Sequence, residues 1–432
     1  MKRLITTALL LLSVLFVNIP AYAETIETSA NSYILVDAKT GQVLSEKDAD
    51  KKSYPASTTK ILTAIVAIET GDLKQMMTAS KEAVKDIGPD GMNIFIAPGE
   101  ELQMEDLLNA MLIASANETA NIIAENLAPT RKDYIDKMNA KAKELGANNT
   151  HFTNPNGMHD DDHYTTARDL SILACYAMSL PKFREITAKK SYLMNVTNMH
   201  KKWDMLYTTN KFLYTTSEYF SKITGIKSGY TSQAGYNLVS SAMNDDGMEL
   251  IAVVFGDQSK AKVDTDSKKL LEYGFENYSL QKVIAEGQFI KNVPVKDAKD
   301  NVNVNIVVKS DFSCVLPKDS SEWNIDFSDT INSKIQAPVN KGDVLGYREY
   351  RRNGAKLGKV DLVAAGSVEK IQTQPTKLKE KTGSPIIFSI IKYILLAAFA
   401  LFALRFILRR ISRSMKARRR RNLYQTKRRL MK

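Results

Sequence analysis

Three short motifs, far apart along the chain, restrict how this sequence can fold more than any other feature. They are, in order, Ser57-Thr58-Thr59-Lys60, Ser115-Ala116-Asn117 and Lys227-Ser228-Gly229. A serine hydroxyl is a weak nucleophile at neutral pH unless a neighbouring group accepts its proton, and here a lysine, not a histidine, is placed to do so. These are the three parts of an acyl-transfer site, so the fold must bring them together.

The setting of Ser57 indicates that it is the nucleophile. Pro55 comes just ahead of residues 58–67, whose apolar spacing predicts a mostly buried helix. Ser57 then lies at the N-terminus of this helix, and Lys60 follows on the same face one turn later. Unpaired backbone N–H groups and the positive end of the helix dipole can stabilise an oxyanion at this point.

Other matches to the motifs lack this setting. The pair Ser179/Lys182 contains Pro181, and the pair Ser389/Lys392 lies in a long apolar run. A literal Lys381-Thr382-Gly383 falls in a polar segment. We therefore assign the first motif to residues 57–60 and the third to residues 227–229.

The second and third motifs lie at element ends. Ser115 and Asn117 separate two helical patterns, residues 105–114 and 118–127, so they can point into a cleft or simply cap the second helix. Lys227 precedes a predicted β-hairpin of residues 235–243 and 249–256 joined by Asn-Asp-Asp-Gly. Its ammonium group would then project from a strand, free to meet an anion.

The three motifs and their flanks resemble those of the low-molecular-mass penicillin-binding proteins, which are serine-type D-alanyl-D-alanine carboxypeptidases. The similarity extends over roughly residues 31–370 and includes residues 154–158, 163–170 and 270–275. Ala116 stands where glycine is frequent in the family, and Ser228 where threonine is frequent. Both substitutions keep the size class or the hydroxyl group, so the chemistry is retained.

The resemblance implies a fold and a role for each site residue. The fold is α/β, as in the DD-peptidases and serine β-lactamases: an antiparallel sheet flanked by helices, with a helical subdomain. Ser57 is the implied nucleophile, Lys60 the general base and Ser115 the proton relay. A lysine serves as a base only if burial and a nearby positive charge, here Lys227, lower its pKa.

The resemblance also implies how substrate binds. Asn117 would hold the substrate peptide, while Lys227 and Ser228 would bind the terminal carboxylate of D-alanine. The backbone N–H groups of Ser57 and Tyr230 would form the oxyanion hole. The implied substrate-binding residues are therefore Asn117, Lys227, Ser228, Gly229, Tyr230 and Thr231. The expected partners are a peptidoglycan pentapeptide as substrate and β-lactam antibiotics as covalent inhibitors.

Two other functions fit the same motifs. A serine β-lactamase would need a deacylating carboxylate, and we find no Glu-x-x-x-Asn segment in a loop-like setting between the second and third motifs. A non-catalytic wall-binding or β-lactam-sensing protein is disfavoured by the intact Ser57, Lys60 and Lys227. We expect hydrolysis of the terminal D-Ala-D-Ala bond of peptidoglycan stem peptides.

No metal or cofactor is expected. The segment His159-Asp160-Asp161-Asp162-His163 lacks the helical His-Glu-x-x-His arrangement, and we interpret it as a solvated acidic loop. Cys175 and Cys314 are interpreted as small core residues, not as a disulfide.

Charge and hydropathy predict an exported, tethered protein. Residues 1–23 have the charged start, apolar core and Ala-Tyr-Ala end of a secretory signal peptide. The net charge of +12 is concentrated at the chain ends, since residues 385–432 hold 14 Lys and Arg and residues 1–23 hold two, with no Asp or Glu in either. Residues 24–384 thus have 44 basic and 48 acidic residues, which argues against nucleic-acid binding.

A membrane anchor is predicted near the C-terminus. Residues 386–408 are 23 residues long, about 34 Å as a helix and enough to span a bilayer core. Lys392 and Arg405 lie toward its ends, where long side chains can reach the interface. The arginines that follow place the C-terminus in the cytoplasm and the catalytic domain outside. An in-plane amphipathic anchor is the alternative.

The resulting domain prediction has six parts. They are a signal peptide (1–23), a DD-peptidase catalytic domain (24–278), a small all-β domain predicted as a sandwich (279–371), a linker (372–384), a transmembrane helix (385–408) and a basic cytoplasmic tail (409–432). The all-β prediction rests on short alternating segments separated by Asp, Asn, Gly and Pro.

Overall fold

The computed structural model describes residues 26–88, 91–371 and 385–429. The predicted signal peptide and linker lie outside these residues. The chain divides into two compact units, residues 1–369 and 370–432, which are described separately.

The first unit contains a five-stranded antiparallel sheet with the strand order β2-β1-β9-β8-β7. Its strands are β1 (Ser32–Asp37), β2 (Val43–Lys47), β7 (Lys222–Thr231), β8 (Gly235–Met243) and β9 (Glu249–Asp257). All six residues of β1 are buried because helices pack on both faces of the sheet. The predicted hairpin is present as β8 and β9, and β7, which carries the third motif, forms one edge of the sheet.

Helices cover this sheet and form a separate helical layer. They are α1 (Lys60–Thr70), α2 (Lys81–Lys85), α3 (Met104–Asn109), α4 (Asn117–Leu127), α5 (Arg131–Leu145), α6 (Ala167–Ser179), α7 (Pro181–Thr187) and α8 (Lys260–Asn277). Two short strand pairs lie between them, β3 (Met76–Thr78) with β4 (Glu101–Gln103) and β5 (Ser191–Tyr192) with β6 (Leu206–Tyr207).

Helix α1 is the centre of the helical layer. Its residues 60–67 are all buried, as expected for a helix that is apolar on every side and packed among other helices. The α-helix begins at Lys60 and not at residue 58, because Ala56–Thr59 form a 3₁₀ turn. Ser57 therefore lies in this turn, immediately before the helix.

A second, all-β region follows directly, since α8 ends at Asn277 and β10 begins at Tyr278. Its strands are β10 (Tyr278–Ile284), β11 (Phe289–Pro294), β12 (Asn303–Val308), β13 (Phe312–Pro317), β14 (Ile325–Ile331), β15 (Val344–Arg352) and β16 (Ala355–Ala364). They form a sheet of order β11-β12-β16-β15-β14 and a pair β10-β13 around one apolar core.

The β region packs against the five-stranded sheet and the end of α8. The Tyr278 hydroxyl donates to the Leu44 carbonyl at 3.3 Å, and the Lys318 amide donates to the Asn277 carbonyl at 2.9 Å. A cavity of about 850 Å³ lies between the two regions and is lined by residues of both, including Cys175 and Cys314. Both cysteines are free thiols, as the sequence indicated.

The second unit is a helix, α9 (Pro385–Arg429), which continues past residue 408. Its residues 409–429 include many Lys and Arg but no Gly or Pro, so nothing in the sequence ends the helix there. Within it, Phe388–Lys416 is long and apolar enough to cross a membrane, and its most apolar 18-residue window has a mean hydropathy of 2.2. Its described apolar side chains are almost all exposed.

The Ser57 turn is held by a glycine in the loop that precedes α6. Gly157 has φ +87°, and a Cβ atom placed on it would lie 2.0 Å from the carbonyl oxygen of Ala56. The Gly157 amide donates to Asn154 Oδ1 at 2.7 Å. A glycine at this point lets the loop pack directly on the turn that carries Ser57.

We expect Gly157→Ala to destabilise the protein more than Gly146→Ala. Gly146 has a similar φ, +94°, but nothing lies within 4 Å of its Cβ position. Both variants bear the backbone strain of about 1 kcal/mol, and only the first adds a steric overlap of roughly 1–3 kcal/mol. Urea unfolding followed by circular dichroism measures the difference. Equal losses of stability would show that Gly157 is not a packing constraint.

Candidate active site

Ser57 lies in a cleft of about 680 Å³ whose walls also include Ser115, Asn117, Ser228 and Tyr230. The threonines that follow it stabilise the tight turn. Thr58 Oγ1 donates to the Pro55 carbonyl at 2.7 Å, and Thr59 Oγ1 donates to the Ala56 carbonyl at 2.8 Å. These side chains pair carbonyl groups that precede the helix, which explains why the local sequence suits a 3₁₀ turn.

Lys60 is fully buried and its Nζ is surrounded by three oxygen atoms. These are Ser57 Oγ at 3.0 Å, Asn117 Oδ1 at 2.7 Å and the Asn156 carbonyl at 2.6 Å. Burial, and next the positive charge of Lys227, lower the pKa of Lys60 well below its usual value. In its neutral form the Lys60 amine has two N–H groups, which it can donate to Asn117 Oδ1 and to the Asn156 carbonyl. The nitrogen lone pair is then free to accept the hydroxyl proton of Ser57.

Lys227 is also buried, on β7 opposite Lys60. Its Nζ donates to Ser115 Oγ at 2.9 Å and to the Ser228 carbonyl at 2.8 Å. Burial, and next the charge of Lys260, lower the pKa of Lys227 to about 7. The charge of this lysine therefore changes close to neutral pH, unlike that of an exposed lysine.

Ser115 adopts a left-handed conformation, with φ 62°, at the end of a π-helical turn, Ala110–Ala114. Such a conformation costs roughly 1–3 kcal/mol in a residue with a side chain and is frequent in active sites. It directs the hydroxyl to Lys227, whereas the predicted relay role links it to Lys60. Neither Ser115 nor Asn117 caps α4, because its N-cap is Ala116, without a side-chain hydrogen bond.

Asn117 joins the second motif to the base. Beyond accepting from Lys60, it donates through Nδ2 to the Ile87 carbonyl at 3.2 Å and faces Met158 Sδ at 3.4 Å. The side-chain amide predicted to hold a substrate peptide thus already has partners in the protein.

The third motif approaches the Ser57 turn closely at Gly229. A Cβ atom on Gly229 would lie 3.0 Å from the Pro55 carbonyl and 3.1 Å from the Ser57 amide nitrogen. The next residue, Tyr230, is 55% exposed and its ring packs on Tyr236 with centroids 4.4 Å apart. Thr231 ends the strand and accepts the Ala234 amide at 3.1 Å. Each predicted site residue therefore either lines the cleft or lies directly behind a residue that does.

Several residues in or behind the cleft had not been singled out from the sequence. Asn156 belongs to the stretch 154–158, but its backbone contact with Lys60 has no sequence signal. Thr209, Lys260 and Asp264 line the cleft from other elements, and burial raises the pKa of Asp264. The Lys260 ammonium donates to the Thr209 carbonyl at 3.2 Å, next to Ser228.

His163 corrects the interpretation of residues 159–163 as a solvated acidic loop. Asp160, Asp161 and Asp162 are exposed, but His163 is buried behind the Ser57 turn. The Thr153 amide donates to its Nδ1 at 3.0 Å, so Nε2 carries the proton and donates to Thr59 Oγ1 at 2.8 Å. Burial lowers the pKa of His163 to about 3, which keeps it neutral. Within the described residues no cluster of His, Cys, Asp and Glu could hold a metal ion.

Comparisons with known proteins find relatives over most of the chain. Residues 19–259 match the family described as D-alanyl-D-alanine carboxypeptidase, and residues 278–370 match the penicillin-binding protein 5 C-terminal domain. The chain is 28% identical over 379 residues to the D-alanyl-D-alanine carboxypeptidase DacF of Bacillus subtilis (strain 168), which covers 86% of this chain and 95% of that protein.

Solved structures give the same result. Penicillin-binding protein 5 from Haemophilus influenzae is 28% identical and has a TM-score of 0.65, covering 80% of this chain and 99% of that one. A peptidoglycan synthesis regulatory factor (PBP3) from Streptococcus pneumoniae is 25% identical, with a TM-score of 0.68, and covers 80% of this chain and 100% of that one. The predicted fold, a sheet flanked by helices and followed by a β domain, is confirmed.

The pKa of Lys227 predicts a specific pH dependence of stability. The unfolded chain holds the Lys227 proton up to about pH 10.5, whereas the folded chain releases it near pH 7. Burial of Lys227 thus destabilises the fold most at and below pH 7, and progressively less as the pH rises toward 10.5. The free energy of unfolding of the wild type should therefore rise by about 3 kcal/mol between pH 7 and pH 10 through this group. Lys227→Met should lack this rise, so its stability relative to wild type should fall by the same amount.

Urea unfolding of both proteins at these two pH values measures this change. Lys318→Met, at a residue outside the catalytic cleft, controls for the general effect of removing one lysine. A Lys227→Met difference that stays constant with pH would mean that Lys227 keeps an ordinary pKa.

Proposed function

Since the chain belongs to the D-alanyl-D-alanine carboxypeptidase family of serine-type peptidases, we propose that it hydrolyses the terminal D-Ala-D-Ala bond of peptidoglycan stem peptides with Ser57 as its nucleophile. The observation that carries this assignment is the contact of Ser57 Oγ with the buried amine of Lys60, 3.0 Å away. The family and its relatives favour peptide hydrolysis over a β-lactamase or a non-catalytic wall-binding protein.

In the first step Ser57 Oγ attacks the carbonyl carbon of the penultimate D-alanine. Its proton moves to Lys60 Nζ, which two carbonyl oxygens already orient. The carbonyl oxygen becomes an oxyanion, and the backbone N–H groups of Ser57 and Tyr230 stabilise it. The C–N bond then breaks, and the leaving amine takes up a proton through Ser115, leaving an acyl group on Ser57.

The terminal carboxylate of the substrate is bound at the other end of the cleft. Ser228 and the Lys227 ammonium behind it supply a hydroxyl donor and a positive charge, and Lys260 adds a second cation nearby. Asn117 holds the peptide backbone of the stem. Gly229 and Thr231 shape the strand beside which the peptide lies.

The acyl-enzyme is then hydrolysed by water. Lys60, neutral again after its proton has passed to the leaving amine, accepts a proton from the attacking water. The proton returns to Ser57 Oγ when the C–O bond breaks, and the shortened peptide leaves. A β-lactam ring would acylate Ser57 in the same way, but its amine stays tethered, and we expect the adduct to hydrolyse slowly.

We also propose that α9 spans the cytoplasmic membrane, with the catalytic domain outside. The length of Phe388–Lys416 and the mean hydropathy of 2.2 in its most apolar 18-residue window support a spanning helix. The basic residues after position 408 support a cytoplasmic C-terminus by the positive-inside rule.

Replacing Ser57 tests the proposed function. Ser57→Ala should abolish both the release of D-alanine from a peptide ending in D-Ala-D-Ala and covalent labelling by penicillin, because no nucleophile remains. Mass spectrometry locates the adduct in the wild type. Ser232→Ala, at a serine in the same cleft whose hydroxyl donates to Gln233, is the matched control and should keep both activities. Labelling that persists without Ser57 would identify another nucleophile.

Extraction from membranes tests the anchor. Burial of apolar side chains is not screened by ions, whereas attraction of arginines to anionic lipid is. The full-length protein should therefore resist high salt and be released by detergent, and deletion of residues 385–432 should give a soluble, active enzyme. Release by salt alone would favour the in-plane anchor.

A further inference from the structure

Glu118 is a buried carboxylate that the proposed reaction does not yet use. It follows Asn117 at the start of α4 and is 1% exposed. One oxygen, Oε1, accepts the amide of Ile94 at 2.6 Å. The other, Oε2, is buried and makes no hydrogen bond with any residue that the structure describes. Burial raises the pKa of Glu118, because an anion with an unsatisfied oxygen is costly at this position. A carboxylate kept there calls for a physical reason.

The surroundings of Lys60 supply one. The charged side chains that act on Lys60 are Lys227 on β7 and Glu118 on α4. His163, in the loop before α6, also faces Lys60 but is neutral, because burial lowers its pKa to about 3. Tyr134 on α5 donates to the Thr63 carbonyl farther along α1 and is neutral as well. Among the described residues, Glu118 is therefore the carboxylate that acts on the buried Lys60.

We propose that Glu118 is a positioning residue that acts through Lys60, stabilising the ammonium form that Lys60 adopts after it takes the proton of Ser57. The inference rests on the proposed function, in which Lys60 is the general base. It adds a group that stabilises the protonated form of the buried base.

The placement of Glu118 suits a transient charge. The hydrogen-bond partners of Lys60 Nζ are Ser57, Asn117 and Asn156, and Glu118 is not among them. A direct ion pair would keep Lys60 permanently protonated and inactive as a base. With the Asn117 amide as the contact partner, the carboxylate favours the ammonium through space without binding its protons.

The proton balance shows where this matters. As Ser57 Oγ bonds to the substrate carbonyl carbon, its proton moves to Lys60 Nζ, creating a second buried cation next to Lys227. When the C–N bond breaks, that proton leaves for the amine through Ser115 and Lys60 is neutral again. The anion of Glu118 lowers the energy of the intermediate state. Burial raises the pKa of Glu118, whereas the Ile94 amide and the charge of Lys60 lower it, so the anion is favoured most when Lys60 is protonated.

Glu118→Gln removes the charge and keeps the shape. Its amide oxygen can still accept from Ile94, so the contact with that segment is retained. Without the anion Lys60 loses its proton more readily. The acid limb of the pH profile, where the rate of Ser57 acylation by penicillin falls because Lys60 is protonated, should therefore move to lower pH by about one unit. The maximal rate should fall roughly tenfold or more, because the ammonium intermediate is less stable. Stopped-flow acylation across the acid range measures both effects.

Glu100→Gln is the matched control. Glu100 is also buried in the catalytic region, where its Oε2 accepts the Ala97 amide at 2.9 Å and its Oε1 bonds to Thr197 and His200. The same loss of charge there should leave the acid limb in place, since Glu100 is not one of the charges that act on Lys60.

Glu118→Asp separates the effect of charge from the effect of shape. It also provides the test if Glu118→Gln does not fold. It keeps the anion but shortens the reach to Ile94, so the acid limb should stay at its wild-type position even if stability falls. An acid limb that moves in the aspartate variant, or stays in place in the glutamine variant, would assign Glu118 a purely structural role. A wild-type protein not acylated at Ser57 would instead overturn the proposed function, and this inference with it.

Discussion

Burial of the Lys60 amine is the interaction on which the rest of the catalytic region depends. Its nitrogen meets oxygens from three parts of the chain, at residues 57, 117 and 156. An ammonium ion in that position would be strongly disfavoured, so the fold lowers the pKa of Lys60 and makes it a base. The tight Ser57 turn, the left-handed Ser115 and the glycine at 229 each bring one of the surrounding segments within contact distance.

The parts of this arrangement that are local in sequence could be predicted. The serine and lysine of the first motif are one turn apart, so their proximity follows from helical geometry alone. The hairpin of β8 and β9 follows from alternating apolar residues around an Asn-Asp-Asp-Gly turn, and the apolar pattern of residues 58–67 predicts a buried helix. The assignment of Ser115, Asn117 and Lys227 to the same site came from resemblance to a family, and the structure brings them together.

The contacts that depend on tertiary packing could not be predicted. The backbone carbonyl of Asn156 has no side-chain signature, and the hydrogen bond between Ser115 and Lys227 depends on a strained conformation that the sequence does not reveal. His163 sits beside three exposed aspartates, so its sequence neighbours suggest solvent, yet its ring is buried behind Thr59. The start of α1 differs by two residues because two threonine hydroxyls stabilise a 3₁₀ turn in place of a helical one.

The separation of the oxygens around Lys60 along the chain has a consequence for the protein during its synthesis. Until residues near 117, 156 and 227 have all packed against α1, Lys60 is an ordinary solvated lysine that holds its proton at neutral pH. A nascent or partly folded chain therefore carries a serine that cannot be activated. Ser57 becomes reactive only with the final packing of the domain, so it is not acylated before the chain has folded. Labelling of Ser57 by a reactive acyl donor therefore reports completed folding.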